Sequence, residues 1–106
     1  MTISQAKEIA ENLLPDAKKW IRRTSAKLDE EVLQTVAACM LDMKNAGITK
    51  ISADDPLIQQ AAKLYLKAQF GYDDKSDKWD AAYEHLKAAL SLSSDYTAPA
   101  VNSGGS

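Results

Sequence analysis

The sequence is poor in the residues from which most catalytic and metal sites are built. Its 106 residues include one cysteine, Cys39, and one histidine, His85. A single cysteine cannot form an intramolecular disulfide, and it excludes a zinc site made of several thiolates. Cys39 lies among apolar residues, which favours a buried free thiol. His85 has no evident nucleophile or second ligand, so we interpret it as a partly exposed structural residue at the edge of a helix face.

The chain also lacks long hydrophobic runs and an excess of charge of one sign. Hydrophobic residues make up 45% and charged residues 26%, and the net charge is −2. No segment approaches the ~20 apolar residues of a membrane span, and the first residues, with Glu8 and Glu11, do not read as a signal peptide. The slightly negative net charge argues against electrostatic binding of nucleic acid. We therefore expect a soluble, cytoplasmic protein with one domain.

Prolines and glycines are few, and amphipathic helical patterns fill most of the chain. Pro15 interrupts the first pattern, which predicts a helix over about 4–12 and a second, short helix over about 15–23. Asp29 or its neighbour is predicted to cap the next helix, and Gly47 follows the end of that helix.

Two further helical patterns form a predicted hairpin in the second half of the chain. Asp55 and Pro56 are typical of a helix start, and the helix that they begin is predicted to continue to Phe70. After an aspartate-rich turn, Ser76 or Asp77 is predicted to cap the last helix, whose apolar residues recur at three- and four-residue spacing.

The resulting fold class is all-α: a small bundle of about four helices with a C-terminal helical hairpin and a flexible C-terminal tail. The β-branched segment 48–54 does not change this class, because one extended segment cannot form a sheet alone. Serine, proline and glycine dominate the end of the chain. We therefore predict one helical domain over 1–96 and a flexible tail over 97–106.

Four aspartates cluster in and after the turn of the hairpin, namely Asp73, Asp74, Asp77 and Asp80. A calcium loop would also need a central glycine and a bidentate glutamate, and both are missing. We therefore interpret these aspartates as turn and helix-cap residues rather than as calcium ligands. The sequence contains no group of residues with the spacing of a catalytic, cofactor-binding or metal-binding site. We therefore expect that the protein is not an enzyme and binds no cofactor.

The hairpin carries the clearest resemblance to a known family. Its sequence "KLYLKAQFGYDD" followed by "KWDAAYEHLKAALSLSSDY" resembles the gp6-like head-tail connector proteins of tailed phages and prophages, a family also associated with DNA packaging. The preceding "DAKKWIRRTSAKLDEEVLQTVAACMLDMKNAGI" is similar to the opening of that family. The resemblance covers about 14–96, which is most of the chain.

The resemblance implies a structural virion protein rather than an enzyme. Such proteins form a ring beneath the portal and complete the head for tail attachment. The implied partners are other copies of the chain, the portal protein and a further head-completion or tail adaptor protein. DNA would pass through the channel without specific binding, and no membrane is involved. The implied location is the head-tail junction of the virion, with the host cytoplasm as the place of assembly.

Hydrophobic residues persist where the helical patterns end, and these positions are the predicted protein-protein contacts. They are Phe70, Tyr72, Leu92 and Tyr96. The alternative class is a small helical nucleic-acid-binding or regulatory protein. That class would need a recognition helix rich in arginine, lysine, asparagine and glutamine, which neither strong helical pattern provides.

Overall fold

All regular structure in the described part of the chain is helical. A computed structural model describes residues 1–22, 25–70 and 75–97. The helices are α1 (Ile3–Trp20), α2 (Asp29–Asn45), α3 (Pro56–Gln69), α4 (Ser76–Ser91) and the four-residue α5 (Ser94–Thr97), and a 3-10 turn (Ala26–Leu28) precedes α2. The prediction of an all-α bundle with four principal helices is confirmed.

The prediction of two helices around Pro15 is wrong, because α1 is one helix with this proline inside it. Pro15 is exposed, so its ring lies on the solvent side of α1. The opposite side of α1 buries a stripe that continues past the proline at three- and four-residue spacing: Ala6, Ala10, Leu13 and Ala17. Packing of this stripe offsets the missing backbone hydrogen bond and keeps the helix continuous.

Helix α2 follows the predicted pattern except at its start. It has no side-chain cap, so the predicted capping role of Asp29 or its neighbour is wrong. Asp29 instead lies in the first turn, where its carboxylate interacts favourably with the positive end of the helix dipole, and its Oδ1 is 2.7 Å from Nζ of Lys18 on α1. Gly47 follows the helix with φ +100, the left-handed conformation that favours glycine.

The predicted start of α3 is confirmed. The side chain of Asp55 accepts hydrogen bonds from the backbone N–H of Leu57 at 2.8 Å and of Ile58 at 3.4 Å, and Pro56 opens the helix. This arrangement satisfies two of the backbone donors that a helix start leaves free.

The end of α3 lies within one residue of the prediction, because Gln69 is its last residue and Phe70 is the C-cap. Helix α4 differs at its start. It already includes Ser76 and Asp77 and has no side-chain cap, so the predicted cap at either residue is wrong. Asp77 lies in the first turn of α4, where it favours the helix through its charge instead.

The core lies between α1, α2 and α3, and α4 adds Tyr83 and Leu90 to it. Cys39 is 0% exposed at the centre of α2, so the prediction of a buried free thiol is confirmed. None of the helices in the described ranges has the length and apolar composition that a membrane crossing would need.

The chain after α4 turns back onto the loop between α2 and α3. Backbone N–H groups of Thr49 and Lys50 donate to the carbonyl of Tyr96 at 2.8 and 3.1 Å, so this loop pairs with α5 rather than with a strand. Of the tail predicted over 97–106, only Thr97 is described, as the last residue of α5. The other tail residues lie outside the described ranges, and the domain boundary stays a prediction.

Candidate contact surfaces

Phe70 is the first of the predicted contact residues, and it is half-buried. Its backbone N–H donates to the carbonyl of Leu66 at 2.8 Å, and its ring packs against the core. In the folded chain Phe70 therefore terminates α3 and packs against the core. Tyr72 lies outside the described residues.

Leu92 is the most exposed of the large hydrophobic residues in the described ranges, with 86% of its surface open to solvent. It is the C-cap of α4, where the chain turns towards α5. Ile3 and Leu57 are also exposed, at 65% and 43%. An apolar side chain held so far out of the core contributes little to folding.

Tyr96 is half-buried and makes its contacts within the chain. Its phenol donates a hydrogen bond to Oδ1 of Asp55 at 3.0 Å, and its carbonyl accepts the two loop N–H groups described above. The hydrogen bond to Asp55 raises the pKa of Tyr96, because an ionised phenol would lie beside a carboxylate. Its clearest role in the isolated chain is to hold α5 against the start of α3.

A partly buried polar link joins α2 to α4. The phenol of Tyr83 donates to Oδ2 of Asp42 at 2.7 Å, and Nζ of Lys87 donates to the same oxygen at 2.8 Å. The Cys39 thiol lies 3.8 Å from the Tyr83 oxygen. The ring of Tyr65 on α3 meets Tyr83 edge-on, with centroids 5.0 Å apart. Three helices thus meet at Tyr83.

Burial raises the pKa of Tyr83, and the hydrogen bond to Asp42 raises it further. Burial likewise raises the pKa of the Cys39 thiol to about 12. For Asp42, burial acts to raise the pKa, but hydrogen bonds from Lys87 and Tyr83 outweigh it and hold the pKa below its ordinary value. None of these shifts brings a group close to neutral pH, where general acid-base catalysis works best. The link is a structural one.

Sequence reasoning did not single out Asp42 or Lys87. The available signal was weak: Tyr83 and Lys87 lie four residues apart on one face of α4, and Asp42 follows Cys39 by three residues on α2. These spacings indicate shared faces, but they do not show that the two faces meet.

His85 and the acidic cluster have no shared site in the described part of the chain. His85 lies exposed on α4, as do Asp77 and Asp80, and Asp73 and Asp74 are outside the described residues. Within the described ranges, no group of three or more histidine, cysteine, aspartate or glutamate side chains is placed to hold a metal ion.

Comparison with known proteins identifies the family. A family model described as phage connector protein matches residues 13–97. The match begins inside α1 and ends with the last residue of α5, so it includes the polar link, the contacts of Tyr96 and all of the buried core except Ala6 and Ala10. Searches among curated proteins and among solved structures returned no match. Because the family match spans most of the chain, this protein belongs to the phage connector protein family, as its sequence predicted.

Proposed function

We propose that this protein forms a ring beneath the portal of a tailed phage or prophage and completes the head for tail attachment. The observation that carries the proposal is the family match over 13–97. The match includes α2 to α5 and the second half of α1 rather than one short motif, so the similarity extends to most of the packed helical body that would act as the ring subunit.

The exposed leucines suggest which end of the domain meets a partner. The hydrogen bond between Tyr96 and Asp55 brings the segment after α4 next to the residue before α3. Leu92 at the end of α4 and Leu57 in the first turn of α3 therefore lie at the same end of the α3–α4 hairpin. We propose that this end, with Leu92 most exposed, docks on the portal protein or on a further adaptor.

We propose that the protein acts through its shape and through its contacts with neighbouring proteins. A ring requires each subunit to present two different surfaces that fit one another. A net charge of −2 provides little attraction for phosphate, which suits a channel through which DNA passes without being held. The proposed location is the head-tail junction, with assembly in the host cytoplasm.

A point substitution tests the docking end better than a truncation does. Removing the chain from Leu92 onwards would also remove Tyr96 and its contacts with the α2–α3 loop. We therefore propose Leu92→Ser, with Ile3→Ser on α1 as the matched control. Leu92→Ser should reduce the amount of the protein in purified particles at least about tenfold, the loss expected when one apolar contact residue is removed. The control should leave it unchanged.

Two results would contradict the proposal. If particles that lack this protein join tails and infect normally, the connector role is wrong. If Leu92→Ser and Ile3→Ser both enter particles as the wild type does, with unchanged circular dichroism, the proposed docking role of the Leu92 end is wrong. The ring itself is tested by electron microscopy of the protein in purified heads.

A further inference from the structure

An open groove of about 540 Å³ lies between α1 and the segment that precedes α3. Apolar side chains line part of it, namely Ile9, Leu13, Ile51 and Ala53. Three exposed carboxylates also line it, namely Glu8, Asp16 and Asp54. No ion pair within the described ranges involves these carboxylates. We call this feature the acidic groove.

A basic, aromatic corner lies elsewhere on the α3–α4 hairpin. The half-buried ring of Trp79 has Nζ of Lys67 at 4.9 Å and Nζ of Lys78 at 5.9 Å from its centroid. In the described ranges neither lysine forms an ion pair. The ring attracts both ammonium groups and keeps them close to an apolar surface. We call these three residues the basic corner.

The acidic residues of α4 do not form ion pairs with the basic corner in the described ranges. Asp77, Asp80 and Glu84 are placed roughly 100° or more around the helix axis from Lys78. Glu84 is also engaged elsewhere, because its carboxylate lies 3.0 Å from Nζ of Lys87. The side of α4 that carries Lys78 therefore keeps its positive charge.

The two surfaces are complementary but cannot meet within one chain. Gln59, in the first turns of α3, lines the acidic groove, whereas Lys67 lies near the end of the same helix. Eight residues of helix separate them by about 12 Å. One surface offers carboxylates around apolar side chains, and the other offers ammonium groups around an aromatic ring.

We propose that the acidic groove of one copy receives the basic corner of the next copy. This inference rests on the proposed ring, and it names the two surfaces that join neighbouring subunits. Contact between two different surfaces is heterologous, which is the kind of interface that builds a ring. Opposite charges around an apolar centre also fix the register between neighbours.

Charge reversal tests the pairing in particles. The groove variant carries Glu8→Lys and Asp16→Lys, and the corner variant carries Lys67→Glu and Lys78→Glu. All four positions lie outside the buried core. Each variant, supplied alone to a host whose phage lacks the gene, opposes like charges at every interface. We expect the yield of infectious particles to fall at least about a hundredfold.

Supplying both variants together restores complementary charges at every interface of an alternating ring. We therefore expect the mixture to give a yield of infectious particles within about threefold of the wild-type yield, because opposite charges face each other again. The control variants Lys7→Glu and Glu11→Lys change exposed charges of α1 that do not line the groove, and they should behave as the wild type. Circular dichroism and thermal unfolding establish that each variant folds.

A zero-length carbodiimide reagent gives a direct second readout, because it joins a lysine to a carboxylate only where they touch. Wild-type particles should give cross-links between the chains from Lys67 or Lys78 to Glu8, Asp16 or Asp54. The proposal is overturned if the mixed variants fail to restore the yield, if either variant alone keeps the full yield, or if these cross-links are absent. Those results leave the connector role intact, whereas a gene that is dispensable for infection would overturn the role itself.

Discussion

The phenol of Tyr96 donates a 3.0 Å hydrogen bond to Oδ1 of Asp55, the residue that caps α3. The same oxygen accepts the N–H of Leu57 at 2.8 Å, so one atom binds both the start of α3 and the tyrosine of α5. The carbonyl of Tyr96 meanwhile accepts the N–H of Thr49 at 2.8 Å. Helix α5 is thus hydrogen-bonded to both ends of the α2–α3 loop.

We expect Asp55→Asn to bring the pKa of Tyr96 down towards its ordinary value. The pKa is raised because ionisation would break the hydrogen bond to Asp55 and place two negative charges together. Titration of ¹³C-labelled tyrosines by NMR measures the change. Asp95→Asn is the control, because Asp95 raises the same pKa only through a weaker charge interaction. A Tyr96 pKa that is unchanged in Asp55→Asn would show that the hydrogen bond does not persist in solution.

The Tyr83–Asp42 hydrogen bond should account for a measurable part of the free energy of unfolding. Tyr83 is 1% exposed, whereas the side chain of Asp42 is 41% exposed and therefore partly screened by water. We expect Tyr83→Phe and Asp42→Ala each to lower the free energy of unfolding by about 1–2 kcal/mol. A double-mutant cycle from urea unfolding should give a coupling of about 1 kcal/mol.

The control for this cycle is Glu84→Gln. Glu84 also lies within 3.0 Å of Lys87, but its side chain is 55% exposed. Exposed ion pairs contribute little, so the free energy of unfolding should change by less than about 0.5 kcal/mol. A coupling near zero between Tyr83 and Asp42, or a larger loss for Glu84→Gln, would contradict the structural role of the link.

Stability should fall at both ends of the pH range, for opposite reasons. The pKa of Asp42 is held below its ordinary value, so the folded chain binds that proton more weakly than the unfolded chain. Its contribution is present above the unfolded pKa and is lost as the pH falls below about 4. For Lys87, burial acts to lower the pKa, but hydrogen bonds with Asp42 and Glu84 raise it.

The raised pKa of Lys87 means that its contribution is lost as the pH rises above about 10. Urea unfolding between pH 3 and pH 11 measures both limbs. Asp42→Asn should flatten the acid limb, because its side chain no longer ionises, and should also weaken the alkaline limb. If the variant and the wild type keep a constant difference in stability across the whole range, Asp42 is not the linked group.

The sequence predicted best those features whose causes are local. Gly47 ends α2 because a left-handed residue is needed there, and Asp55 with Pro56 begins α3 because the cap and the fixed proline angle act on the next turn. The start of α4 was predicted less well. Its first turn has no side-chain cap, so no local signal marks that position.

The predicted contact residues show the same division. Exposure of Leu92 follows from its place after the last turn of an apolar helix face. Tyr96 carries a similar sequence signal, yet its phenol finds a partner 41 residues away in Asp55. Nothing near Tyr96 in the sequence indicates that pairing. Whether either residue also meets another protein stays a prediction.

Pro15 gives the last prediction, because here packing overrides a strong local signal. A proline inside a helix costs about 3 kcal/mol through its missing N–H and its steric clash. Pro15→Ala restores the donor to the carbonyl of Glu11 and also frees the unfolded chain, which offsets up to about 1 kcal/mol. We therefore expect the free energy of unfolding to rise by about 2 kcal/mol in urea. Asn12→Ala on the same helix is the control, since propensity alone should add no more than about 0.7 kcal/mol. A gain for Pro15→Ala no larger than that of the control would mean that α1 bends around the proline without strain.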